Sequence, residues 1–171
     1  MCQFLSALVL RNGDVLTHPM LDSHSDLVTY FRLPDTDAYI SHFAKVELTP
    51  RDWLDPASWA WRVDEPTLTA WWADVATGAE ATLRARAERM VLRDGEHQLI
   101  VDGCWIDGGS AVVRDVRAGR IVRVKGSAQI HRVGGSAQIH GVRDSAQIHG
   151  VWDSAQLDAN ARAHVVAPAT A

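Results

Sequence analysis

Cys2 is the sharpest chemical candidate in this chain. Removal of Met1 would leave it as an N-terminal nucleophile with its own α-amine as base, and an apolar strand follows at once. The competing reading is a small buried residue at the start of that strand, and no partner motif accompanies it. His18, Asp22, His24 and Asp26 form a second cluster, whose imidazoles and carboxylates suit acid–base work or a metal ion. Ser23 with Asp26 three residues on also reads as a helix cap, which accounts for the same stretch without chemistry, so no metal is assigned. His131, His140 and His149 recur every nine residues. Such a column can bind metal or respond to pH, or can be an outward polar row. Arg114, Arg117, Arg120, Arg123, Lys125 and Arg132 gather positive charge in one stretch. A solvated outer face explains them, and a phosphate- or nucleic-acid-binding stripe is the sharper alternative, although no aromatic residue interleaves with them.

The element that must position most of these residues is a repeat. Ser-Ala-Gln-Ile/Leu begins at Ser127, Ser136, Ser145 and Ser154, a period of nine. With the serine at offset 0, Ala128, Ala137, Ala146 and Ala155 hold offset 1. Ile130, Ile139, Ile148 and Leu157 hold offset 3, and Val133, Val142 and Val151 hold offset 6. Offsets 1 and 3 share one face of a strand; the step to 6 demands a bend. The spacing predicts an inward Ala/Ile/Val stack, with outward histidines at offset 4 and glutamines at offset 2. Weaker copies from Ser110 and around Val165 bring the count to seven units, and stacked units of this kind bury a continuous core. Two geometries satisfy the period. In a parallel β-solenoid two units make one coil, alternate units stack, and His131 and His149 share a side that His140 does not. In an antiparallel meander, Gly134-Gly135, Arg143-Asp144 and Trp152-Asp153 are hairpin turns. The first fits the inward triplet better. The repeats lack the glycine–aspartate pattern of calcium-binding nonapeptides.

The 171 residues allow one large or two small domains. No apolar run is long enough to span a bilayer, and no secretion signal opens the chain. Cys2 and Cys104 make neither a disulfide framework nor a metal cluster, so a cytoplasmic setting is expected. The net charge of −4 is uneven: residues 1–96 carry −6, residues 97–171 carry +2 and five of the eight histidines. Residues 1–96 read as an α+β head. Phe4–Leu10 and Val15–Thr17 flank Asn12-Gly13, a strong hairpin signal. A helix is expected from Ser23 to Phe31, a short helix over 38–43, and strands at 43–48 and 59–64. A long helix is expected from Thr69 to Leu92, divided at Gly78. His97 to Ile106 leads into the repeats, so 97–171 is expected to form the solenoid.

Asp22-Ser23-His24, Phe43-Ala44-Lys45-Val46-Glu47-Leu48-Thr49, Trp61-Arg62-Val63-Asp64-Glu65 and the repeats together resemble a group of bacterial and phage proteins with a short α+β head and a tail of nine-residue β-repeats. The resemblance implies architecture and no activity. Three functions follow from the sequence. The first is a non-enzymatic interaction or scaffold protein, pairing with a protein partner or with further copies of itself unless 159–171 covers the open end of the repeats. The second is a small hydrolase or transferase using Cys2 or the His18–His24 region. The third is a nucleic-acid-binding or mimicking module. None calls for a cofactor.

Overall fold

The computed structural model describes residues 5–34, 42–65, 70–101, 103, 105–106 and 109–166, with only the backbone at 105 and 106. Cys2 and most of the expected helix over 38–43 lie outside the described residues. The chain divides into two compact units, Met1–Glu88 and Arg89–Ala171.

The first unit is built on an antiparallel sheet in the order β2-β1-β3-β4, with β1 at Leu5–Leu10, β2 at Val15–Leu16, β3 at Phe43–Thr49 and β4 at Ala60–Val63. The Asn12-Gly13 signal gives the expected hairpin, with Leu8 opposite Leu16 and Gly13 at φ +89°. Helix α1, His24–Tyr30, starts where the cap signal placed it, and the Ser23 hydroxyl accepts from the Asp26 N–H. Leu8, Leu27, Val28 and Phe43 bury their side chains together between α1 and the sheet. Helix α2 runs unbroken over Trp72–Met90. Gly78 does not divide it, because one glycine costs a helix only about 1 kcal/mol relative to alanine and eighteen other residues carry the helix past it. The helix also stops two residues earlier than expected, since Val91–Leu92 is a strand, β5.

The second unit consists of two-residue parallel strands: β5, β6 (Glu96–His97), β7 (Trp105–Ile106), β8 (Val112–Val113), β9 (Arg120–Ile121), β10 (Gln129–Ile130), β11 (Gln138–Ile139), β12 (Gln147–Ile148) and β13 (Gln156–Leu157). Successive repeats alternate between two open sheets, β12-β10-β8-β6 and β13-β11-β9, while β5 pairs with β7. Pairing is parallel and joins residues two units apart, Ile130 with Ile148 and Ile139 with Leu157. The antiparallel meander is thereby excluded. A second set of parallel bridges joins the offset-6 valines, Val116 to Val133 to Val151 and Val124 to Val142.

The expected inward triplet is the core except toward the last units, where Val151 is exposed and Ala155 only partly buried. Ala128, Ala137, Ile130, Ile139, Ile148, Val133 and Val142 are fully buried in one cluster with Ala111, Val113, Val116, Ile121 and Val124. Truncating one such isoleucine to alanine costs about 2–5 kcal/mol, since so close-packed a column has little room to relax.

Each nine-residue unit closes on a residue of positive φ at offset 8: Gly126 at +64°, Gly135 at +60°, Asp144 at +59° and Asp153 at +56°. The offset-1 N–H then bonds the offset-7 carbonyl, as in Ala137 N to Gly134 O at 3.3 Å. Positive φ at the first central position alone is the signature of a type II′ turn. At Gly135 a side chain would also run into the Arg117 carbonyl oxygen. The two aspartates offset the strain of their backbone. Asp144 Oδ2 accepts from Gly126 N at 3.2 Å and Asp153 Oδ2 from Gly135 N at 3.3 Å, each in the preceding layer. Asp144→Gly loses one hydrogen bond and relieves strain, whereas Asp144→Ala loses the bond and keeps the strain. Denaturant unfolding is expected to rank the chains native, then glycine, then alanine, with the alanine variant about 1–2 kcal/mol down; an alanine variant as stable as the native chain would contradict the turn assignment.

Candidate functional site

His18 and His24 make different contacts. His24 is buried where α1 meets β3, its Nε2 lies 2.9 Å from the Val46 carbonyl oxygen, and its Nδ1 is 3.4 Å from Asp64 Oδ2. A ring held between a backbone acceptor and a carboxylate anchors the helix to the sheet. His18 Nδ1 accepts from Met20 N at 3.1 Å, and its ring packs on Tyr30 at 4.4 Å. Among the described residues no group of three or more His, Cys, Asp or Glu is arranged to hold a metal ion.

The repeat histidines separate as the 18-residue register dictates. His131 and His149 lie one layer apart on the first sheet, with ring centroids 5.1 Å apart, and His140 follows β11 on the second. Above the pair, Arg114 Nη1 is 3.4 Å from His131 Nδ1, and Arg114 Nε donates to Glu96 Oε1 at 2.7 Å. One column therefore runs carboxylate, guanidinium, imidazole, imidazole. A guanidinium has no acceptor, so its contact with Nδ1 places the His131 proton on Nε2. The hydrogen bond from Arg114, then that from Gln98, lowers the Glu96 carboxyl, and Glu96 in turn raises Arg114. Burial first, then the charges of Arg114 and His149, push His131 below the ordinary 6.5, while Glu96 pulls the other way. The His149 Nε2 is buried without a hydrogen-bond partner.

The basic residues are likewise dispersed. Arg120 lies on β9 opposite Gln138, and Arg123 and Lys125 follow in the same unit. Arg114 belongs to the histidine column. Arg117 joins a site of which the sequence showed only the cations: a cleft of about 300 Å³ lined by Asp115, Arg117, Arg132, Gly134, Trp152 and Asp153. Asp115 is buried, with Arg117 Nε at 2.7 Å and Arg132 Nη2 at 3.3 Å from its Oδ2. Trp152, 52% exposed, folds over Gly150, where a side chain would meet the indole. Asp115, Arg132 and Gly150 hold offset 5 in alternate units; Arg117, Gly134 and Trp152 hold offset 7. These residues lie 17 or 18 apart in sequence, so only the register joins them.

Comparison with family models, with curated proteins and with solved structures found no match to this chain. No helix among the described residues is long and apolar enough to cross a membrane.

The histidine column makes a pH prediction. A His131 held below 6.5 in the folded chain binds its proton less readily than in the unfolded chain, so falling pH protonates the unfolded state first and lowers stability. The denaturant midpoint is expected to drop from about pH 7.5 to about pH 5.5, a window that brackets the ordinary histidine value, and to drop less in His131→Gln. Equal pH dependence in the two chains would contradict the column.

Proposed function

We propose that the protein is a non-enzymatic interaction protein whose second unit is a β-solenoid, two nine-residue units to the coil, displaying outward residues to a protein partner. The observation that carries this is the division of labour within each repeat. Before the last unit, offsets 1, 3 and 6 mostly serve the core and scarcely vary, while offsets 5 and 7 hold Arg, Asp, Gly, Lys or Trp, most of them outside the core cluster. A rigid frame that repeats its core and changes its surface suits recognition.

The C-terminal segment favours a different protein over an end-to-end stack of copies. Helix α3, Ala159–Ala163, interrupts the nine-residue register. Asp158 Oδ2 accepts from Gly141 N at 3.1 Å, and Asn160 Oδ1 from Val142 N at 2.9 Å. Arg162 Nε donates to the Leu157 carbonyl at 3.1 Å, and Val165 bridges to Ile148. Some of the backbone groups that could pair with another chain are thus occupied within this one.

Photo-crosslinking amino acids placed singly at Gln129 and Gln147 on one sheet, and at Gln138 and Gln156 on the other, test the reading in the producing cell. The expected result is a discrete hetero-adduct from the positions of one sheet only. Adducts of two copies alone, or none from any position, would overturn it.

A further inference from the structure

We propose that the Asp115–Arg117–Arg132–Trp152–Asp153 cleft binds a small planar ring that bears a hydrogen-bond donor and carries an oxyanion on a substituent. The proposal goes beyond the scaffold reading and does not need it, because it rests on the geometry of the cleft alone.

Three features converge there. The first is a guanidinium pair already fixed in place. Each guanidinium carries five N–H donors, and the contact with Asp115 uses one nitrogen of each. With Asp153 the two arginines and two aspartates of the cleft balance in charge, but both guanidiniums keep unused planar donors, the arrangement that carboxylate and phosphate match. The second is the indole. Trp152 replaces the glycine of the preceding layer, Gly134, and the arginine of the layer before that, Arg117. Gly134 is buried and has no side chain to fill the floor between them. Parallel layers are about 4.8 Å apart, so the side chains of Arg117 and Trp152 leave the chain two layers from each other, with Arg132 and the Asp153 carboxylate reaching the layer between them. An indole that lines this cleft and stays half-exposed while folded over Gly150 stacks well on a flat ring. The third is Asp153. One of its oxygens accepts from Gly135 N, which orients the carboxylate at the cleft's edge as an acceptor for a ring amino or N–H group.

The repeat itself directs attention to this place. The units from Ser127 and Ser145 agree at Ser, Ala, Gln, Ile, His and Val, and differ at offsets 5, 7 and 8. Those offsets supply Arg132 and Gly134 from one unit and Trp152 and Asp153 from the other. The sequence is thus individual where the cleft forms and uniform where the fold only needs stacking. A volume of about 300 Å³ sits at the small end of ligand sites, which limits the ligand to one ring system with a short substituent.

The test uses the full chain and four probes: indoxyl phosphate, indole-3-carboxylate, indole and inorganic phosphate, followed by saturation-transfer NMR and titration calorimetry. At least one of the first two is expected to bind with Kd at or below about 1 mM, and the half-ligands at least about tenfold more weakly. Preference between the first two reads whether the oxyanion is phosphate or carboxylate. Trp152→Ala and Arg132→Gln are each expected to weaken binding about tenfold or more, with Arg132→Lys intermediate because it keeps the charge and loses the fork. Trp152 is exposed, so its variant is expected to keep the native thermal unfolding curve and guards against reading a folding defect as a binding defect. Absence of binding by both whole ligands at about 10 mM, equal affinity for inorganic phosphate, or unchanged binding in both variants would overturn the proposal.

Discussion

One backbone constraint underlies the second unit: every ninth residue from Gly126 to Asp153 takes a positive φ near +60°. That conformation reverses the chain tightly enough for the next two-residue strand to start on the other sheet. Without it Ile130 and Ile139 cannot both point inward from consecutive units, because the bend is what restores the face after an odd number of residues. Glycine adopts it at no steric cost. Aspartate adopts it with strain, offset by a carboxylate that reaches the glycine N–H one layer back. The later turns therefore stitch layers together that the earlier turns merely permit.

With the turns fixed, the remaining properties follow. Parallel pairing at two-unit spacing stacks like on like, so alanine, isoleucine and valine form continuous buried columns. The same rule stacks the outward residues. Stacking like on like is harmless for glutamine and costly for charge. The column above His149 avoids the cost because Glu96, two residues before the register partner of Arg114, reaches across to that arginine, and the cleft does so by placing Asp115 between two arginines. Charge alternation along a column is thus the electrostatic counterpart of packing along the core.

How much of this was legible in the sequence depends on how local each signal is. The inward triplet follows from the nine-residue period, whereas the alternate-unit pairing and the joint siding of His131 with His149 follow from only one of the two geometries that the period allows, the one the parallel register selects. The Asn12-Gly13 hairpin and the Ser23 cap are equally local. The strands β5 to β7 were harder, because Val91–Leu92 and Glu96–His97 carry no Ser-Ala-Gln motif and their partners sit at other spacings, as with Glu96 and Val112. The cleft was illegible for a related reason. The unit from Ser110 is one residue short, so Asp115 meets Arg132 at a separation of 17 rather than 18, and its arginines read only as part of one basic stretch. The anchoring of His24 by Val46, 22 residues away, had no local signal at all.

The central claim is the 18-residue parallel register, and disulfide trapping tests it most directly. Neighbouring parallel strands place register partners about 4.8 Å apart, within the Cα separation a disulfide spans. In a background with Cys2→Ser and Cys104→Ser, the pair Gln129→Cys with Gln147→Cys is expected to oxidise quantitatively with the fold retained, and Gln129→Cys with Gln138→Cys to stay reduced. Cross-linking of the nine-residue pair in place of the 18-residue pair would contradict the account.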